Sequence, residues 1–302
     1  MKRVLITGAN SYVGTNVENW LSAYEKAYEV DTVSLRDRNW KKRSFVGYDA
    51  VFHVAGIAHV SADERLREQY FAVNKDLTIE TAKKAKADGV KQFIFMSSII
   101  VYGNSSVAGK EKWITSRTKP DPADFYGQSK LEAEKGILAL EEEGFRVAVV
   151  RAPMIYGPGS KGNYPRLSKL AQKTPLFPSL KNHRSMLYIN NLCEFIRLLL
   201  EDGGGGIYYP QNREYVSTGE MVRCIARCHG KKLYLVGWMN PLVRFGGCFL
   251  GIINKVFGSM AYRKDMSSHW DYAYCVTDFA ESIAQTEGKR DGADKRHGSA
   301  HR

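Results

Sequence analysis

RVLITGANSYVG, residues 3–14, is the stretch whose reading decides the fold. Its first half is a short apolar run rich in β-branched residues, which reads as a buried strand. Gly8 and Gly14 then bracket a turn, and a helix is predicted from about Ser11 to Tyr24. Gly8 suits a tight turn, and Gly14 suits a close approach of helix to strand. Ser11 holds the middle position, usually a glycine; it is small enough to pass, and its hydroxyl could reach a phosphate. The backbones of Tyr12 and Val13 would cover that phosphate with N–H groups at the helix N-terminus. Glycines at such turns often serve no ligand, so the motif depends on its surroundings.

Those surroundings repeat the rhythm. Strands are expected at Val30–Leu35, Ala50–Val54, Gln92–Ser97 and Arg146–Arg151, with helices at about 63–88 and 126–143. Short apolar runs alternating with helices predict an α/β fold, a Rossmann-type doubly wound parallel sheet covered on both faces. From Met154 the rhythm breaks into YGPGSKGNYP (156–165), a short helix near Leu167, a strand at Met186, a helix at Asn190–Glu201, GGGG (203–206) and a strand at Ile207–Tyr209. The expected organisation is a core over 1–155, a smaller lobe over 156–285 interleaved with the last core strands, and a polar tail over 286–302 expected to be disordered. Leu242–Phe257, interrupted by Arg244 and Lys255, reads as one packed or surface amphipathic helix. It falls short of a membrane span, and membrane association is not expected.

The chain has 302 residues and a net charge of +12. Its basic residues are scattered, with no stripe or recognition motif, so nucleic acid is not an expected partner. Five cysteines, an odd number, with no leader before the first strand, imply free thiols and a cytoplasmic protein. Cys224, Cys228 and His229 form a C-x3-C-H cluster, but helical spacing puts both cysteines on one apolar face. Core packing outweighs zinc, which wants four ligands, and no metal is expected.

The chemistry lies in YGQSK. Tyr126 and Lys130 are four apart on a helix and share a face. A phenol titrates near ~10, and an ammonium one turn away stabilises the phenolate. Ser97 and Ser98 end a strand at the carboxyl edge where ligands bind in such sheets. At the end of the second strand, Ser34 takes the place of the acid that binds an NAD ribose, and Arg36 follows. That pair favours NADP; Asp37 keeps NAD open.

TGANSYVG, DAVFHVAG (49–56), Asn74 with Thr78, SSIIVYG (97–103), YGQSK and RAPMIYGPG (151–159) together resemble the extended short-chain dehydrogenase/reductases, in the NAD-dependent epimerase/dehydratase family that includes UDP-glucose 4-epimerase. The resemblance implies catalysis by Ser98, Tyr126 and Lys130. It implies a cofactor wall of Ala55, Gly56, Asn74 and Pro153, and substrate contacts from Asn163 and Arg184 to the nucleotide and its diphosphate. It also implies a homodimer formed through the helices at 63–88 and 126–143.

The departures matter too. Ile99 and Ile100 stand where dehydratases of the family carry an acid pair, which argues against water elimination. The usual Asp-Leu adenine contact is missing, and Trp40 stands in that region. Ala58 replaces a lysine and Met154 an asparagine common in epimerases. The expected activity is a UDP-hexose 4-epimerase-like reaction through a 4-keto sugar. An NADPH-dependent nucleotide-sugar 4-ketoreductase is the alternative, since SSIIVYG with KGN also resembles surface-polysaccharide enzymes of that sort. A redox-inactive NADP-binding sensor or scaffold is the alternative of another class, opposed by the intact Ser98, Tyr126 and Lys130.

Overall fold

The computed structural model describes residues 1–58 and 63–288. The first half runs β1 (Lys2–Thr7), α1 (Tyr12–Ser22), β2 (Tyr28–Val33), β3 (Ala50–His53), α2 (Arg67–Tyr70), α3 (Leu77–Ala87), β4 (Gln92–Ser98), β5 (Trp113–Ile114), α4 (Phe125–Leu138) and β6 (Arg146–Ala152). The second half runs β7 (Met154–Tyr156), α5 (Asn163–Lys173), β8 (Leu176–Pro178), β9 (Met186–Tyr188), α6 (Ile189–Asp202), β10 (Gly206–Tyr208) and α7 (Thr218–Cys228). It ends with β11 (Tyr234–Val236), α8 (Asn240–Gly247), α9 (Gly251–Phe257), β12 (Ala261–Tyr262), α10 (Lys264–Ser267) and α11 (Phe279–Thr286).

Six strands form one parallel sheet in the order β10-β6-β4-β3-β1-β2. The central strands are apolar on both faces because helices cover both: Val4, Leu5 and Ile6 of β1 and Phe93, Ile94 and Phe95 of β4 are fully buried. The chain leaves β1 for β2 on one side and returns to β3 on the other. Ligands bind such sheets at the carboxyl ends beside that reversal. Here the reversal places the glycine turn after β1 against the loop after β3. The small sheets β7-β9 and β8-β11 belong to the later chain, and β12 of the later chain pairs with β5 of the first half.

The helix expected over 63–88 is helical from Glu64 to Ala87, but Phe71–Asp76 is a π-helical turn. π-turns often mark functional sites, because the extra residue re-aims a side chain; this one carries Asn74. The single helix expected over Leu242–Phe257 is two short helices, α8 and α9, broken at Cys248–Leu250. Of the tail expected from 286, the first residues are ordered: Thr286 completes α11, and Glu287 accepts from Tyr164 Oη (2.8 Å) and Ser168 Oγ (2.9 Å) and pairs with His229 Nε2 (2.7 Å). Residues 289–302 lie outside the described residues, as do 59–62. Cys224 and Cys228 pack against the main core. Among the described residues, no helix is long and apolar enough to cross a membrane.

His53, at the end of β3, is fully buried and ties three elements together. Thr7 Oγ1 lies 2.9 Å from its Nδ1 and Thr78 Oγ1 3.0 Å from its Nε2. Thr78 Oγ1 itself donates to Asn74 O at 2.8 Å, so Nε2 carries the proton and Nδ1 accepts from Thr7. Burial, and then the nearby Lys130 charge, pull the imidazole down to about 3. In the unfolded chain it would titrate near ~6.5. The neutral ring therefore supports the fold above that value, and this support is lost as pH falls from about 6.5 toward 3, at up to about 1.4 kcal/mol per pH unit. His53→Asn should lower stability at about pH 7.5, and the gap to wild type in urea denaturation should narrow by about pH 5. A gap independent of pH would show that His53 does not titrate across unfolding.

Candidate active site

The glycine turn is held by sterics and by caps. Gly8 has φ +85°, and a Cβ there would come 2.9 Å from Ala55 N and 3.1 Å from Ala55 Cα. At Gly14 a Cβ would lie 2.6 Å from Ser11 Oγ and 3.2 Å from Val54 Cγ2. Ser11 is the N-cap of α1, and its Oγ accepts from Gly14 N at 3.1 Å. Its hydroxyl oxygen thus accepts from the helix, which leaves its O–H proton to donate. Asn10, which sequence reasoning missed, takes the left-handed conformation at φ 62°, where asparagine is tolerated better than most residues. The first-turn N–H groups of Tyr12 and Val13 have no intrahelical acceptor. They suit an anion seated beside Gly8.

The end of β2 is exposed at Ser34, Arg36 and Asp37. Asp37 caps the 3-10 turn Arg38–Lys42, accepting from Asn39 N at 2.7 Å. Its carboxylate therefore serves its own backbone. Trp40 is buried and stacks on Phe45 at 6.4 Å, so it is a core residue and no adenine contact.

Ser98, Tyr126 and Lys130 meet at the carboxyl end of β4. The Ser98 hydroxyl hydrogen-bonds the Tyr126 phenol, and Ser98 Oγ also accepts from Ile100 N at 3.3 Å. Strand alternation sends Ser97 the other way, where it is buried and donates to Glu134. Asp124 caps α4 by accepting from Gly127 N at 2.8 Å, which places Tyr126 in the first turn. Tyr70 packs edge-on against the Tyr126 ring at 5.9 Å. Burial pushes the phenol up to about 12, with Tyr70 adding to it and Ser98 opposing it.

Lys130 is buried, donates from Nζ to Met96 O at 2.9 Å and lies over the Phe95 ring at 4.5 Å. Burial pulls it down to about 8, and the Glu134 carboxylate opposes the shift. Gly56 leaves room for it: a Cβ there would lie 3.4 Å from Lys130 Nζ and 3.0 Å from Asn74 Oδ1. Asn74 is fully buried. Its Oδ1 accepts from Ile57 N (2.9 Å), and its Nδ2 donates to Ile57 O (3.1 Å) and Ser129 Oγ (3.2 Å). Asn74 therefore shapes the loop after β3 from behind. Pro153 is buried between β6 and β7.

Behind these residues runs a network that sequence reasoning missed. Arg151 donates from Nε to both Glu134 oxygens at 3.1 Å, from Nη2 to Oε2 at 2.6 Å and from Nη1 to Tyr102 Oη at 2.7 Å. Both charged groups are buried. The spacing of Tyr126, Lys130 and Glu134, each four residues after the last, is the signal available in the sequence.

The two substrate candidates lie in the later chain, on separate elements. Asn163 is exposed at the first turn of α5. Arg184 is partly buried, and its Nη1 donates to Lys255 O (2.6 Å) and Val256 O (3.4 Å), closing the C-terminus of α9. Burial lowers its guanidinium from the ordinary value.

The family model described as the NAD dependent epimerase/dehydratase family matches residues 4–209. A UDP-glucose 4-epimerase from Vibrio cholerae is 33% identical over 288 residues, covering 88% of this chain and 84% of that protein. N-acetyl-alpha-D-glucosaminyl-diphospho-ditrans,octacis-undecaprenol 4-epimerase from Escherichia coli O157:H7 is 26% identical, covering 84% and 81%. A solved human epimerase family protein with NADPH shares the fold at a TM-score of 0.74 and 17% identity, covering 95% of this chain and 99% of that one. With its glycine turn, its parallel sheet and these matches, the chain belongs to the NAD dependent epimerase/dehydratase family.

Proposed function

We propose that the chain is a nucleotide-sugar 4-ketoreductase that takes NADPH and exchanges it at every turnover. The observation that supports this most is the end of β2. Asp37 is occupied as a cap, while Ser34 and Arg36 stand exposed beside it. A bare ribose asks for a carboxylate acceptor; a 2′-phosphate asks for a hydroxyl and a guanidinium fork. The cofactor would lie on the N–H groups of Tyr12 and Val13, against Gly8, Ser11, Gly14, Ala55, Gly56 and Pro153.

When bound, the reduced nicotinamide supplies the hydride. Ser98 would hold the substrate's carbonyl oxygen, and Tyr126 would give that oxygen its proton, so a C4 ketone becomes a secondary alcohol. A phenol raised to about 12 is protonated throughout the neutral range and suits the donor role. Lys130, buried and still mostly cationic at neutral pH, would stabilise the phenolate left behind. Asn163 and Arg184 would take the nucleotide and its diphosphate.

A 4-epimerase is the second reading, favoured by the 33% identical Vibrio relative. Tyr126 would then first remove the C4 hydroxyl proton, and the 4-keto sugar would turn over before reduction on its other face. By its name, the Escherichia coli relative acts on a sugar carried by a diphospho-polyprenol. A diphosphate next to the sugar is common to both carriers.

Tyr126→Phe should lower the rate by about two orders of magnitude or more while leaving NADPH binding intact. Activity within a few-fold of wild type would remove Tyr126 from the acid–base role. Titration should show wild type binding NADPH more tightly than NADH. Arg36→Ala should erase about ten- to a hundredfold of that preference, the worth of a charge-assisted contact. Wild type binding NADH at least as well would overturn the NADPH reading.

A further inference from the structure

The segment expected to be one packed or surface amphipathic helix, together with the turn before it, points its largest side chains outward. Trp238 (66%), Leu242 (66%), Phe245 (71%), Phe249 (73%) and Ile252 (63%) are all strongly exposed. Trp238, Leu242, Phe245 and Phe249 recur at intervals of four, three and four, the spacing of one helix side. The Phe245 and Phe249 rings touch at 5.2 Å, forming a single apolar ridge.

The inner side of the same hairpin is closely fitted. A Cβ at Gly246 would come 2.6 Å from Ile253 Cδ1, and one at Gly247 would come 2.9 Å from Ala108 Cβ. Asn254 accepts from Ala108 N at 2.9 Å and donates to Gly247 O at 2.8 Å. The ridge is therefore held on a fixed base, and its exposure is not that of a frayed segment. Contiguous exposed apolar surface of this kind marks an interaction site.

Charge identifies the occupant. The Trp238–Phe257 hairpin carries Arg244 and Lys255 and no aspartate or glutamate, and the exposed Lys231 and Lys232 lie just before it in the chain. The whole chain carries +12. An anionic lipid surface neutralises these charges and accepts Trp, Phe, Leu and Ile at the same time. We infer that the Trp238–Phe257 hairpin is a peripheral docking surface for anionic membranes. It enters the headgroup layer by its apolar ridge without crossing the bilayer. The base of the hairpin is the loop that leads out of the Ile99–Tyr102 turn beside Ser98, and Arg184 closes its second helix. Docking would therefore hold the active-site edge at the lipid interface.

The test is flotation of the full chain with vesicles of phosphatidylglycerol or of phosphatidylcholine. Wild type should float with phosphatidylglycerol, should bind phosphatidylcholine weakly, and should lose binding as salt rises. The double substitution F245D/F249D should reduce partitioning by about tenfold or more while leaving the melting temperature and NADPH binding unchanged. The separate pair Lys232→Ser and Lys255→Ser should weaken binding by about fivefold for each charge that reaches the surface. Wild type that stays in solution with phosphatidylglycerol overturns the inference. So does a wild-type dimer that becomes a monomer in F245D/F249D without vesicle binding, because a second copy would then cover the ridge.

Discussion

The candidate active site is built on the buried ion pair of Glu134 and Arg151. It joins α4 to β6, and through Ser97 and Tyr102 it also holds β4 and the turn after it. Removing one partner of such a pair costs about 3–5 kcal/mol, because the other charge is left buried and alone. The pair sets register. Lys130 and Tyr126 lie one and two turns before Glu134 on the same helix, so fixing Glu134 fixes where both point. The negative carboxylate also keeps Lys130 cationic against the effect of its own burial.

A second chain of hydrogen bonds reaches the site from the cofactor side. It runs from Thr7 through His53 and Thr78 to Asn74, and from Asn74 to Ile57 and Ser129. Ser129 donates to Tyr126 O at 2.8 Å. β1, β3, the π-turn and α4 are thus linked by buried polar groups whose partners are all protein. Buried networks with every donor met give a rigid local structure. That rigidity keeps the loop after β3 close to Gly8 on one side and to Lys130 on the other.

The sheet and the cluster of Ser98, Tyr126 and Lys130 are legible in the sequence because each rests on a short-range pattern. Apolar runs mark the strands, Gly8 and Gly14 mark the turn, and a spacing of four puts Tyr126 with Lys130. What is illegible depends on contacts distant in sequence. Arg151 reads as the end of an apolar strand, and only the fold brings it to Glu134. Asp37 reads as an open ribose ligand, and only the local turn shows its carboxylate used as a cap. The π-turn that buries Asn74 follows from tertiary packing and leaves no short-range pattern. Over Leu242–Phe257 the helical period is right but the single helix is two: helical spacing says that one side is apolar, not whether that side meets the core. The break at Cys248–Leu250 falls next to Gly246 and Gly247, which lower helix propensity and allow close packing at the hairpin base.

Reductase and epimerase differ in what they must do with the cofactor. An epimerase regenerates it within each turnover and gains by holding it, whereas a reductase must release it. Under the proposed function, an adenosine end met by Ser34 and Arg36, with one Asp37 oxygen used as a cap and Trp40 in the core, would suit exchange. The direct measurement is to purify the chain without added cofactor, denature it and quantify the released dinucleotide by chromatography. The account predicts a nearly empty protein that then binds NADPH reversibly; NAD released in near-stoichiometric amount would contradict it.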